Sequence, residues 1–232
     1  MADARLLVLW DIDYTLIAAP GVGRMIYERA FPIAVGRPLD DLVNTAGRPD
    51  LDIMSATLKL HGLEPTPERM TALAKALVAE YAAAEAELRE RGDALPGARE
   101  TLAEVSTEPA IQQSVLTGNL RSVAELKLAT FGLAGYVDFD SGAYGDDHAE
   151  RAELVHIART RAQHRTGTAF PGHATVLVGD TPRDVQAALS ADAEIVAVAT
   201  GTYPAEQLRE AGAVHIADTV PDCLPILKSL LP

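Results

Sequence analysis

Cysteine is nearly absent from this sequence of 232 residues. The single thiol, Cys223, cannot close an internal disulfide and cannot build a Cys-based metal site. It reads as a small apolar residue near the C-terminus. Basic charge is scarce too: 20 Lys and Arg stand against 33 Asp and Glu, a formal net charge of -13. A nucleic-acid partner needs clustered Lys and Arg and is not expected. A small anionic substrate is still compatible, because it answers to local charge inside a cleft, where a bound cation can reverse the field. Long apolar runs are missing as well. No segment approaches the roughly 20 apolar residues of a membrane helix. Asp11 interrupts the first apolar run too early for a secretory leader, so the expectation is a cytoplasmic protein with no membrane partner. Internal repeats and low-complexity linkers are also lacking.

What is present is an ordinary globular composition, 48% hydrophobic and 23% charged, long enough for one core plus a smaller appended unit. Short apolar runs mark strands at 6–10, 111–116, 136–139, 175–178, 195–198 and 214–216. Several are apolar on both faces, as parallel strands covered by helices on each side must be. Helical patterns at 98–105, 122–131, 151–164, 182–191 and 205–211 lie between them. That alternation predicts an α/β fold with a doubly wound, mainly parallel, Rossmann-like sheet.

One interval breaks the rhythm. From about residue 17 to 91 no strand is evident, and 68–91 (ERMTALAKALVAEYAAAEAELRER) is rich in strong helix formers. Thr66 is a candidate N-cap before Pro67, which suits the first turn of a helix, and GDALPG from Gly92 is a breaker. The organisation expected is a core of residues 1–17 and 92–232 with a helical insertion at 18–91. GVGRMI at Gly21 lacks the third glycine of a dinucleotide fingerprint and reads as a loop. His148, His156 and His164 recur every eight residues, about 12 Å along a helix, too far apart for the last two to share one ion. They read as solvated helix histidines.

The first strand ends in two acids, Asp11 and Asp13. In an extended chain residues i and i+2 face the same side, and two carboxylates in a poorly solvated space need a cation or a proton between them. Solvated loop aspartates are the plain alternative. Other strand ends weaken that alternative: VLTGN supplies Thr117, Gly118 and Asn119, and LVGDTPRD supplies Asp180 and Asp184. In open α/β sheets ligands bind outside the carboxyl ends of the strands. Asp11, Asp13, Asp180 and Asp184 together would make a hard-oxygen site suited to Mg²⁺ and poor in soft ligands for zinc.

DIDYTL resembles the DxDxT signature of the haloacid dehalogenase-like superfamily, in its magnesium-dependent phosphatase branch, phosphoglycolate phosphatase-like in type. LTGN and GDTPRD resemble that family's second and fourth motifs, and the helical insertion falls where the family places a C1-type cap. The resemblance implies a phosphatase for a small phosphorylated metabolite. Asp11 would be the nucleophile that forms a phosphoaspartate, and Asp13 the acid and base. Magnesium would be held by Asp11, the main-chain carbonyl of Asp13 and Asp180, with Asp184 as ligand or anchor. Asp184 can also serve as a first-turn helix acid. Thr117, Gly118 and a cation would hold the phosphoryl oxygens.

Two departures stand out. The family's third motif usually offers a lysine, where this chain reads GDDHAERAEL. Arg151 is the candidate cation, and Lys127 in ELKLATFGL the alternative if it does not simply cover apolar surface on a helix. Tyr14 stands where many relatives carry glycine, and would trim the pocket or pack against the insertion. Arg48 and Asp50 in NTAGRPDLD are candidates for substrate contact or for a solvated turn, and Asn119 for substrate contact or loop stabilisation. Haloalkanoate dehalogenation would leave Asp13, Asp180 and Asp184 without a task. Phosphonate cleavage would need a Schiff-base lysine in the insertion, where Lys59 and Lys75 lie. A β-phosphoglucomutase-like phosphotransferase and a catalytically silent binding or regulatory protein stay open. Oligomeric state is not legible.

Overall fold

The computed structural model describes residues 5–231. In chain order the elements are β1 (Leu6–Trp10), β2 (Ile17–Ala18), α1 (Val22–Val35), α2 (Asp50–Leu60), α3 (Pro67–Ala83), α4 (Glu85–Arg91), β3 (Asp93–Ala94), α5 (Ala98–Ser106), β4 (Ile111–Val115), α6 (Arg121–Thr130), α7 (Arg151–Thr166), β5 (Thr175–Gly179), α8 (Pro182–Ser190), β6 (Glu194–Val198), α9 (Ala205–Glu210), β7 (His215–Ala217) and α10 (Cys223–Ser229). Five strands form one parallel sheet in the order β4-β1-β5-β6-β7.

Alternation along the strands divides the core into two layers, because successive side chains point to opposite faces. Leu6, Val8 and Trp10 pack with Leu102 of α5, Val123 and Leu128 of α6, and Cys223 and Leu227 of α10. Leu7 and Leu9 face the other way, onto Leu154 and Ala158 of α7 and Val185 and Ala188 of α8. The α/β class expected from the sequence is the class observed, and Cys223 is a buried packing residue. Among the described residues no helix is long and apolar enough to cross a membrane.

Three local expectations are corrected, and one helical stretch proves to be divided. Residues 136–139 form no strand; Ala134–Tyr136 and Phe139–Ser141 are 3₁₀ turns. The Asp138 carboxylate accepts the Asp140 N–H at 3.1 Å, an Asx turn that breaks the extended conformation. Residues 68–91 form two helices, α3 and α4, divided at Ala84. Gly21 opens α1 with φ 76°, so GVGRMI starts a helix. Finally, Ile17–Ala18 is a short strand that pairs antiparallel with Asp93–Ala94. These two segments carry the chain into and out of the helical insertion side by side. Two other details match: Thr66 caps α3 by accepting the Arg69 N–H, with Pro67 in the first turn. His148 precedes α7, while His156 and His164 lie on it, and all three are exposed.

Inside the insertion, Ile26, Tyr27, Ala30 and Phe31 of α1 are buried, as are Leu73, Ala76, Leu77 and Tyr81 of α3. They join the layer of Leu6, Val8 and Trp10. The Asp50 N–H donates to the Gly118 carbonyl at 2.7 Å, which seats these helices on the loops beyond the strands' carboxyl ends.

Candidate active site

Two of the candidate acids directly follow a buried strand. Asp11 follows β1 and extends its pairing, its N–H donating to the Val178 carbonyl at 2.8 Å. Asp180 follows β5 directly. Asp184 sits in the first turn of α8, where Thr181 and Asp184 form a reciprocal capping box, and the Thr181 hydroxyl and N–H donate to its Oδ2 at 2.7 and 3.0 Å. That folding role is the one expected of a first-turn acid. Gly179 permits it: a Cβ there would lie 2.3 Å from the Asp184 Cγ.

Carboxylate oxygens of Asp11, Asp180 and Asp184 all lie within 4.8 Å of one another, and all three residues are buried. Burial, then the charges of Asp11 and Asp184, push the Asp180 carboxyl up to about 9. Burial raises Asp11 to about 7 against the pull of Arg151, with Asp184 and Asp13 adding to the rise. Three crowded acids with oxygen-only donors fit a hard divalent cation, which would remove the repulsion that contributes to both shifts. Together they could hold a metal ion.

Arg151 opens α7 and is 7% exposed. Its Nη2 lies 2.9 Å from Asp11 Oδ1 and 2.6 Å from Asp184 Oδ1. Although burial works against its charge, the two carboxylates hold its pKa above the ordinary arginine value. Arg151 therefore stands on the Asp11 side of the site.

Lys127 does not spend itself covering apolar surface. Its stem is buried on α6, but Nζ reaches Asp13 at 2.8 and 2.7 Å and the Asn119 Oδ1 at 2.8 Å. Asn119 Nδ2 donates to Asp13 Oδ2 and to Thr117 Oγ1, each at 2.8 Å. The Asp13 carboxylate is thus turned toward Lys127 and Asn119 and is not one of the three clustered acids. Thr15, to which the sequence pattern assigned no task, donates its hydroxyl to Asp180 Oδ1 at 3.3 Å. Its place as the threonine of DIDYT was the available signal.

Above these loops lies the insertion. Asp50 is the first residue of α2, and its N–H donates to the Gly118 carbonyl at 2.7 Å while the next N–H, of Leu51, donates to the Gly145 carbonyl at 3.2 Å. The Asp50 carboxylate accepts the Leu120 N–H at 2.9 Å and the Tyr27 hydroxyl at 3.4 Å. Burial raises its pKa to about 6, against the pull of the Leu120 N–H and Lys127. It is a docking contact and no solvated turn. Arg48 pairs with Asp52 at 2.6 Å, and its backbone crosses Gly118 so closely that a Cβ there would lie 2.2 Å from the Arg48 carbonyl oxygen. Only glycine fits at that crossing.

Between insertion and sheet lies a cavity of about 370 Å³, lined by Asp11, Asp13, Thr117, Gly118, Lys127 and Arg151 below and by Tyr27, Arg48 and Tyr81 above. Tyr27 and Tyr81 were not anticipated; both are buried residues of apolar-looking helices. Tyr14 also lines the cavity, with its backbone at φ 60°, a left-handed conformation that is unfavourable for a bulky side chain.

A strained aromatic at a cavity wall suggests a use that offsets its cost. Tyr14→Gly removes about 1–2 kcal/mol of left-handed strain and returns about 0.5–1 kcal/mol through the freer unfolded chain. The expected result is a melting temperature that does not fall, together with an altered affinity for the molecule that fills the cavity. A drop of more than about 3 °C would assign the ring to packing.

A family model of haloacid dehalogenase-like hydrolases matches residues 8–189, from within β1 to the end of α8. The chain belongs to the haloacid dehalogenase-like hydrolases. It is thus an enzyme of that family, and its sheet is the family's Rossmann-like core. The solved structures it resembles include a hydrolase from Pseudomonas syringae, at 20% identity and TM-score 0.72, over 98% of this chain and 100% of that one. A second is CbbY from Rhodobacter sphaeroides in complex with phosphate, at 19% identity and TM-score 0.71, covering 92% and 94%. A third is a predicted phosphoglycolate phosphatase from Haemophilus somnus, at 18% identity and TM-score 0.66, covering 98% and 99%. At these identities the likeness speaks for the fold. A search of the curated proteins finds no match.

Proposed function

We propose that this haloacid dehalogenase-like hydrolase is a Mg²⁺-dependent phosphatase acting on a small phosphorylated metabolite, with residues 18–91 as its cap. The observation that carries the reading is the buried cluster of Asp11, Asp180 and Asp184, with Arg151 against Asp11, of which Asp11, Asp180 and Arg151 line a cavity of about 370 Å³. That volume lies at the lower end of small-molecule sites, which favours a metabolite over a macromolecule.

In this reading the Asp11 carboxylate attacks phosphorus in line and the ester oxygen leaves with a proton from Asp13. Water then attacks the phosphoaspartate after giving its proton to Asp13. Arg151, Thr117 and the Gly118 backbone orient the phosphoryl oxygens. Arg151 also opposes the rise that burial imposes on the Asp11 carboxyl. Asp11 and Asp180 would hold the metal together with the Asp13 carbonyl, and Asp184 would hold Arg151 or join them. Bound there, magnesium would offset the phosphoryl charge that otherwise repels a carboxylate nucleophile. The insertion, seated through Asp50 on the Gly118 loop, excludes bulk water and shapes the leaving-group end.

The test is release of inorganic phosphate from p-nitrophenyl phosphate with and without Mg²⁺, with acid-quenched enzyme searched by mass spectrometry for phosphate on Asp11. Metal-dependent release and a phosphorylated Asp11 are expected. No metal-dependent turnover would point to a binding protein on this fold. Turnover only when a phosphorylated sugar is present as acceptor would point to a phosphotransferase.

A further inference from the structure

The two buried cations of the site are divided between its two acids. Arg151 lies against Asp11 and Asp184, and Lys127 against Asp13. We propose that Lys127 is a positioning residue for Asp13, holding it for proton transfer to the leaving group, and is not a ligand of the transferred phosphoryl group. The inference rests on the phosphatase reading above.

An ammonium has three N–H donors, and Lys127 has three acceptors at bonding distance, the two Asp13 oxygens and Asn119 Oδ1. No donor is left over for a phosphoryl oxygen. The lysine is 4% exposed, and a buried ammonium is tolerated only when it is paired and hydrogen-bonded. This committed geometry is what makes its burial possible. Tyr81 of the insertion closes the other side, with its ring centroid 5.2 Å from Nζ, so the ammonium has little room to swing away.

For Asp13 the consequences are directional. Its Oδ2 accepts from both Lys127 and Asn119, whereas Oδ1 accepts from Lys127 alone. Oδ1 is the oxygen with capacity left to exchange a proton. In the first step the Asp11 oxygen bonds to phosphorus while the ester P–O bond breaks. The bonding pair goes to the ester oxygen, which takes the proton from Asp13, and the alcohol departs. The charge that this leaves on Asp13 develops beside an ammonium already in place, so no reorganisation is needed when it appears. In the second step water bonds to phosphorus, its proton passes to Asp13, the Asp11–phosphorus bond breaks, and inorganic phosphate leaves.

The experiment compares Lys127→Met and Lys127→Gln with wild type on two esters. Glycerol 2-phosphate has an alkoxide leaving group that needs a proton; p-nitrophenyl phosphate releases a phenolate that leaves as the anion. For Lys127→Met, kcat/KM should fall about 100-fold on the alkyl ester, and the loss there should exceed the loss on the aryl ester by about 30-fold. Lys127→Gln, which can replace one donor, should recover part of the difference. Affinity for inorganic phosphate, measured by calorimetry with Mg²⁺ present, should change less than about 3-fold in both variants. Equal losses on the two esters, or a phosphate affinity weakened 10-fold or more, would make Lys127 a phosphoryl ligand and overturn the proposal. Variants that do not stay folded would make the lysine a structural residue and overturn it equally. Wild-type enzyme that hydrolyses neither ester would sink the phosphatase reading itself; hydrolysis of the aryl ester alone would sink only the role given to Asp13 and Lys127.

Discussion

Asp11→Asn should lower metal-dependent hydrolysis of p-nitrophenyl phosphate on the order of 10⁴-fold or more and leave the fold intact. The amide has nearly the carboxylate's shape, so the fit beside Val178 and Arg151 survives while the attacking charge is lost. Stability should move the opposite way to activity. In the wild type Asp11 is 5% exposed and its burial is only partly relieved by Arg151. A neutral side chain removes that burden, and Arg151 keeps Asp184 at 2.6 Å as its partner. The melting temperature without metal should therefore hold or rise, while the rise produced by Mg²⁺ shrinks. A variant that keeps more than a few per cent of the wild-type rate would remove Asp11 from the role of nucleophile.

Metal-free protein should lose stability as pH rises, and magnesium should restore it. The sign follows from where the protons sit. Burial and mutual repulsion raise Asp180 from 3.8 to about 9 and Asp11 from 3.8 to about 7. Between these limits the folded chain binds more protons than the unfolded one, so the stability contributed by the protonated carboxyls is fully present below about pH 4 and is lost on the way up. Asp50, raised to about 6, adds in the same direction. A tenfold difference in proton affinity between folded and unfolded chain is worth about 1.4 kcal/mol, and about 1 kcal/mol moves the melting temperature of a chain this long by about 2–4 °C. A scanning calorimeter should record a fall of at least about 5 °C between about pH 5 and pH 8 without metal. Saturating Mg²⁺ should raise the transition more at the higher pH, since binding requires the ionised acids. Asp180→Asn should flatten the metal-free slope. A transition temperature independent of pH in both proteins would mean that the clustered acids impose no electrostatic cost on the fold.

Several features of this protein are written in residues close together in the chain. Apolar runs such as LLVLW and TVLVG form the central strands because period-2 alternation buries both faces. Acids and small polar residues directly after those runs arrive at one sheet edge, since parallel strands all point the same way. Thr66 with Pro67, and Thr181 with Asp184, are helix starts read within four residues.

The missed elements have a common cause. Residues 136–139 look like a strand by composition, but Asp138 bends the segment and sets it on β4 through its N–H bond to the Gln113 carbonyl. The split at Ala84 falls in a run of helix formers with no local breaker, and the short strand at Ile17 exists only because Ala94 pairs with it. Lys127 lies 114 residues from Asp13, so its helix pattern offered it as a candidate cation without naming the acid it meets. Tyr27 and Tyr81 carry no local pattern that marks them out from their helices.

The class of fold, a run of helices after the first strand and the acids near the strand ends were legible in the chain, because hydrophobic period and capping act between neighbours a few residues apart. Three-dimensional packing was needed to settle which cation meets which carboxylate, that Asp50 docks the insertion on the Gly118 loop, and which aromatics wall the cavity. Those pairings join segments as much as 140 residues apart, as Asp11 and Arg151 are. They depend on how buried surfaces fit together, and local pattern carries no record of that.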